Sequence, residues 1–328
     1  GVGGAALAVG AIAVLDGLVG GLGRATRLWA IAGSVGAVIG PALGGFVTQL
    51  ADWRAVFLIQ APIALGAVVA ALITPTVVLP ARAGHRRGPG ALTADLALAA
   101  LYASLVGALF LGVILVVTVW GIEPALGAVL VSALPVGTLL ATRVSFPPRS
   151  GPAVIGGGIL LAGGLATLAV LPGVAPAWAM LGFALCGLGF GLLSNQLGPV
   201  AVAPEDGQRA ASLSSTARHL GLVLGLVLIA PVLAGHVETA AEQAAIPATA
   251  TLLDASVDSV TKVGLALDIR DELAGSSSNE IPDLDPVFAR YADRDGDVLT
   301  LADDLETSVR EVITRSFRTA FAISAVLA

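Results

Sequence analysis

The chain holds a single cysteine, Cys186, and a single methionine, Met180, among 328 residues. One cysteine excludes an intramolecular disulfide framework and a cysteine-rich metal site. Charge is scarce too: 12% of residues are Asp, Glu, Lys or Arg, where soluble domains carry about 25%. Aromatics reach only 5%, too few to suggest a strongly aromatic ligand cage. The three histidines, His85, His219 and His236, are too scattered for a metal cluster. There is no phosphate-binding loop, so an ATP-driven pump is unsupported. Gly187-Leu-Gly189-Phe-Gly191 lies in an apolar run with no preceding strand, which excludes a dinucleotide loop. Asp293-Arg-Asp295-Gly296-Asp297 has the look of a calcium loop, but such a loop needs glycine sixth and glutamate twelfth. Those positions hold Val298 and Asp304. No catalytic residues, cofactor, metal or nucleic-acid partner are expected.

What is present is apolar. Hydrophobic residues make up 56% of the chain, mean hydropathy is +0.92, and 41 glycines accompany 18 prolines. Such a composition fits an all-α polytopic membrane protein, where Gly and Pro are more frequent than in soluble helices. A spanning helix needs about 20 mostly apolar residues. Complete candidates fall at 27–50, 53–79, 94–120, 124–142, 152–172, 176–203 and 210–235, with partial ones at 1–22 and 316–328. The chain opens on Gly1 rather than methionine, and the natural N-terminus is read as absent.

The loops give an orientation. Arg24 and Arg27, then Arg82, Arg86 and Arg87, then Arg143 and Arg149, then Arg209 occupy every second connection. The positive-inside rule makes that set cytoplasmic. Residues 236–315 then form an extracytoplasmic insert with 17 acids and six bases, net −11, which leaves +5 for the rest and accounts for the overall −6. The expected domains are 1–80, the remainder of an N-terminal transmembrane half; 81–93, a cytoplasmic central loop; 94–235, a C-terminal half; the insert 236–315; and 316–328, the start of a last span.

An internal repeat relates the halves. A shift of 185 residues lays Arg24-Ala25, Leu28, Ala32, Gly36 and Gly40 on Arg209-Ala210, Leu213, Ala217, Gly221 and Gly225. A second echo sets Trp53-Arg54-Ala-Val-Phe57 against Phe317-Arg318-Thr-Ala-Phe321, at a shift longer by about the length of the insert. Parallel repeats of this kind occur in secondary transporters, with substrate held between the halves. Gly36, Gly40 and Gly44 recur every four residues on one helix face, a groove that admits a second helix. Pro41 removes one amide from the same helix and favours a bend.

Gly36-x-x-x-Gly40-Pro41-x-x-Gly44-Gly45 resembles the fifth-helix antiporter motif in the drug:proton antiporter branch of the major facilitator superfamily. Trp53-Arg54-x-x-Phe57-x-Ile59-Gln60-x-Pro62 is similar to the opening of that branch's sixth helix, with Gln60 where asparagine is usual. Gly1-Val2-Gly3-Gly4-Ala5 resembles the end of the fourth-helix motif. Ala211-Ser212-Leu213-x-x-Thr216-Ala217-Arg218-His219-Leu220-Gly221-x-x-x-Gly225 is similar to the eleventh helix, with His219 where glutamine is usual. The likeness covers nearly all of the chain outside the insert. It implies a partial major facilitator fold, about helices 4–12 of 12; a fourteen-helix relative lacking its central pair would look similar.

The resemblance implies a multi-pass exporter of the bacterial inner (cytoplasmic) membrane. It would be monomeric and exchange protons for drug-like or metabolite molecules by rocking its halves. Gly36, Gly40, Pro41, Gly44 and Gly45 would then seal the halves. The alternative is a non-transporting sensor or assembly protein that uses the acidic insert.

Ionisable groups within a bilayer are costly and hence candidates for function. Asp16 is either interfacial or a coupling residue, and Asp95 is expected in the first turn of its helix, where the dipole favours an anion. Glu123 is expected to be solvated in a short external turn. Arg218 either snorkels to the cytoplasmic surface or pairs across the halves, and His219 either titrates near neutrality or anchors at the interface. Asn195 and Gln196 either line a cavity or bond between helices.

Overall fold

The computed structural model describes residues 14–15, 17–73, 89–147, 149–201, 207–275, 285–292 and 297–328. Asp16, the Gly1–Ala5 motif, most of the 81–93 loop and Asp293–Gly296 lie outside the described residues. Helices make up 88% of what is described, and no strand occurs there. With no water in a bilayer core, each backbone amide and carbonyl must be satisfied within its own helix, and apolar helices are the consequence.

In chain order the helices are α1 (Leu22–Leu50), α2 (Trp53–Ile73), α3 (Pro89–Val113), α4 (Pro124–Val131), α5 (Ala133–Ala141), α6 (Gly151–Ala169), α7 (Pro176–Ala201), α8 (Gly207–Asp254), α9 (Ser259–Gly275), α10 (Asp285–Ala292) and α11 (Asp297–Leu327). Among the described residues five stretches are long and apolar enough to cross a membrane: Pro89–Val119, Pro124–Ala141, Gly151–Ala169, Pro176–Ala201 and Ser212–His236. These are the predicted spans from 94–120 to 210–235, excepting their ends. The molecule is an all-α multi-pass membrane protein. Large apolar side chains stay exposed along α2 (Phe57, Leu58, Ile63, Leu72) and α8 (Val223, Leu224, Val227), as suits a lipid solvent.

Several boundaries differ from expectation for identifiable reasons. Leu92 and Ala91 continue the apolar pattern behind Pro89, so α3 begins at Pro89 rather than 94, and proline suits a first helical position. Asp95 accordingly lies in the second turn, 5% exposed, and not at the helix start. The same helix ends in a π-helical stretch, Ile114–Val119, before Trp120. The predicted 124–142 span is divided at Ser132, whose hydroxyl donates to the Ala128 carbonyl at 2.7 Å. Pro135 has no amide to offer the Val131 carbonyl, which loosens the same turn.

The chain divides into two compact units, one of residues 1–171, 175–233 and 317–328, the other of 172–174 and 234–316. In the first, α7 is the central helix, packed by α4, α5, α6 and α3. Its glycines set the closeness of those contacts. A methyl group at Gly187 would overlap the Leu134 carbonyl of α5, and one at Gly191 would lie 2.6 Å from Ala141 Cβ. On the opposite side, a methyl at Gly189 would meet the Leu161 amide of α6 and stand 2.5 Å from the Gly157 carbonyl. Phe183 of α7 is fully buried, its ring filling the space beside Gly112 of α3. The final stretch of α11 belongs to this unit, with Phe317, Phe321 and Ser324 buried and Ser324 against Gly107.

The second unit has its own small core of Val257, Leu265, Val287, Phe288, Val298, Leu301 and Leu305. Asp268 of α9 accepts the Tyr291 hydroxyl at 3.0 Å and pairs with Arg290 at 3.3 Å, tying α10 to α9. The amphipathic stretch predicted at 299–313 is helical, and it joins the last span without a break in α11.

Because α7 touches its neighbours backbone to backbone, Gly187→Ala is expected to lower the thermal midpoint of the purified protein. The overpacking cost is about 1–3 kcal/mol. Gly163 of α6 has open space at its Cβ position, so Gly163→Ala is expected to leave the midpoint unchanged or raised. Equal midpoints for Gly187→Ala and wild type, by intrinsic tryptophan fluorescence, would contradict this packing.

Candidate functional site

The predicted sealing motif lies on α1, which packs against α4. Their contact is tight at one end only. A methyl group at Gly45 would overlap the Pro124 carbonyl and stand 2.6 Å from Ala128 Cβ. One turn on, the Gln49 side chain bridges to the start of α4. Its Nε2 donates to Glu123 Oε2 at 3.0 Å, and its Oε1 accepts the Ala125 amide at 3.1 Å. That amide belongs to the first turn of α4, where no intrahelical carbonyl is available, so Gln49 acts as a cap supplied by another helix. Glu123 is exposed, as expected, but is held by this bond rather than merely solvated.

The face carrying the other glycines of the motif is open, although α1 also touches α5. Added methyls at Gly36, Gly40 and Gly44 would meet nothing within 4 Å among the described residues. Gly36 and Gly40 are exposed, and Pro41 and Gly44 are half-buried. The close approach therefore occurs at Gly45, one position round the helix from the face carrying the other three.

The repeat partners behave differently. Gly221 and Gly225 of α8 lie directly on α3: a methyl at Gly221 would overlap the Ala99 carbonyl, and one at Gly225 would stand 2.7 Å from the Ala103 carbonyl. Two glycine pairs aligned by sequence thus have one closed groove and one open groove among the described residues.

Trp53, Arg54 and Phe57 form the exposed head of α2. The Arg54 guanidinium lies 4.5 Å from the Trp53 ring centroid and pairs with Asp52 at 3.1 Å. Trp53 and Phe57 meet edge to face at 6.0 Å. An aromatic and arginine cluster at a helix end suits the membrane interface. Pro62, further along α2, is exposed and leaves the helix unbroken.

Arg218 lies where α3, α7 and α8 converge. Its guanidinium stands 5.7 Å from the Tyr102 ring centroid on α3, and its Nη2 lies beside Gly198 of α7. Tyr102 in turn packs edge to face on Phe190 at 5.2 Å. Arg218 Nε is buried with no hydrogen-bond partner. The neighbouring His219 is exposed, and its Nδ1–H donates to the Ser215 carbonyl at 2.8 Å. Arg218 and His219 therefore face different surroundings despite being adjacent.

Asn195 and Gln196 also part company. Gln196 is buried and its Oε1 accepts the Ser150 amide at 2.9 Å, just where Ser150 caps α6 through the Ala153 amide. Its role is to fix the α6 start. Asn195 is exposed. Sequence reasoning missed Gln49 and Tyr102. The available signals were a polar residue ending an otherwise apolar span and one of only two tyrosines in the chain.

Apolar spanning helices that meet through glycines, with interfacial arginines and a few buried polar groups, define a multi-pass membrane protein. Residues 1–234 match the family profile of the Major Facilitator Superfamily, and the chain belongs to that family. Its members are membrane transporters of small molecules.

The geometry at Gly45 carries its own test. Gly45→Leu is expected to force α1 from α4 and lower the thermal midpoint, whereas Gly44→Ala has room and is expected to be neutral. A Gly45→Leu protein as stable as wild type would show that this seam contributes nothing.

Proposed function

We propose that this protein is a secondary active exporter of drug-like or metabolite small molecules. It works in a bacterial cytoplasmic membrane, as a monomer, by exchanging protons for solute. The reading places it in the drug:proton antiporter branch of its family, with residues 1–80 completing an N-terminal half and 94–235 forming a C-terminal half. The observation that carries it is the seam between α1 and α4. It is closed by Gly45 and the Gln49–Glu123 bridge, while the motif's other face, carrying Gly36, Gly40 and Gly44, meets nothing within 4 Å among the described residues.

With the arginine-rich connections inside, the shut end is the outer one. Outer ends held together at this seam suit a state that faces the cytoplasm, in which an exporter takes up its cargo. Moving to the outward-facing state requires breaking the Gln49 bridge. That bridge is exposed and contributes about 1 kcal/mol, small enough to open thermally. Gly36 and Gly40 leave a face of α1 without side chains, which permits close helix approach as the halves rock. The non-transporting alternative loses ground to the family assignment.

Gly40→Leu in the full-length protein is expected to insert normally yet abolish proton-driven efflux from inverted vesicles. Undiminished efflux would overturn the gating role. In a Cys186→Ala background, Gln49→Cys with Ala125→Cys should let a short thiol cross-linker stop transport, with recovery on reduction. Continued transport by the cross-linked protein would remove the outer seam from the cycle.

A further inference from the structure

Hydroxyl side chains in the spanning helices satisfy themselves by donating to the carbonyl four residues earlier. Ser104, Ser132, Thr138, Thr167, Thr216 and Ser324 all do so. Three serines break this habit. Among the described residues the hydroxyls of Ser194, Ser214 and Ser215 are buried with no hydrogen-bond partner, as are Arg218 Nε and one oxygen of Asp95, Oδ1. The three serines and Arg218 are not scattered. Ser214 and Ser215 precede Arg218 by four and three residues, which places all three on one side of α8. Ser194 precedes Gly198 by one turn on α7, and a methyl at Gly198 would lie 3.7 Å from Arg218 Nη2.

Buried polar groups in native structures are nearly always satisfied, so a cluster of exceptions points to a ligand or water. A guanidinium in a bilayer also needs a counter-charge. Among the described residues no carboxylate pairs with Arg218. Asp95 of α3, one turn before Ala99, is buried but already has an interaction of its own. Arg218 instead rests on the Tyr102 ring, and Phe190 stands beside that tyrosine.

We propose that Arg218, with the hydroxyls of Ser194, Ser214 and Ser215, binds the anionic group of an organic anion whose apolar or aromatic body lies along Tyr102 and Phe190. The planar guanidinium matches a carboxylate or phosphate in shape, and the three hydroxyls each add a donor. Gly198 puts no side chain between α7 and Nη2. This proposal rests on the transporter reading and narrows its cargo to amphipathic acids.

The test is binding of 2-naphthoate and its uncharged analogue 2-naphthamide to the full-length protein in phosphatidylcholine nanodiscs, followed by titration calorimetry. Wild type is expected to bind the carboxylate at least tenfold more tightly than the amide. Arg218→Gln is expected to erase that preference while leaving amide binding unchanged, which also shows that the variant is folded. Arg218→Lys should keep part of the preference, and Ser214→Ala with Ser215→Ala should weaken the carboxylate severalfold. Equal affinities in wild type, no binding of either probe, or a preference surviving Arg218→Gln would each overturn the proposal. Displacement of naphthoate by phosphatidylglycerol would assign the anion to a lipid headgroup, and its absence to a soluble acid; both retain the site. Binding needs neither gradient nor turnover. A protein that binds with charge preference but never exports overturns the transporter reading alone, and one that exports without charge preference overturns this inference alone.

Discussion

The rest of the bundle depends on backbone meeting backbone at glycine. In lipid there is no hydrophobic force to drive one apolar helix against another, so association rests on close van der Waals contact. A side chain one methyl larger removes that contact where two main chains touch. This is the condition at Gly187 and Gly189 on α7, at Gly221 and Gly225 on α8, and at Gly45 on α1. The glycine-rich composition that looks permissive in the sequence therefore acts in the structure as a set of fixed crossing points.

The same constraint separates what holds the fold from what could move. The α7 glycines are closed on both sides by α5 and α6, and nothing there can part without exposing several contacts at once. The α1–α4 seam is tightest where Gly45 and Gln49 meet Pro124, Glu123 and Ala125. That contact can separate while the helices on either side stay intact. Rigid packing inside a bundle and a slender joint at its edge give a transporter the mechanics it needs.

Much of this was legible in the sequence. Apolar runs of about 20 residues marked the spans, because hydropathy reports the bilayer directly. The repeat matched α1 with α8, and the family resemblance agreed with the Major Facilitator Superfamily match over residues 1–234. Less legible was anything that depends on which face a residue presents. Gln196 and Asn195 are adjacent, yet one is buried and caps a neighbouring helix while the other is exposed. Glu123 and Gln49 stand 74 residues apart, and no local pattern announces their bond. The start of α3 was read five residues late because Pro89 resembles a loop residue until its place at a helix N-terminus is known. The helices α8 and α11 run on past the spans that were recognised, since hydropathy marks the edge of a membrane and not the end of a helix.

The π-helical stretch Ile114–Val119 closes α3 against the first turns of α4, where Val117 and Val116 crowd Gly127. Its bonds skip one residue further than α-helical ones, as in the 2.9 Å bond from the Trp120 amide to the Leu115 carbonyl. Such a widened coil holds surplus chain. Tightening it by a single residue would swivel Trp120 and whatever follows through about 100°, with every amide still satisfied. The helix leading to the outer joint thus carries its own swivel, and the strand of backbone entering α4 can turn without unravelling.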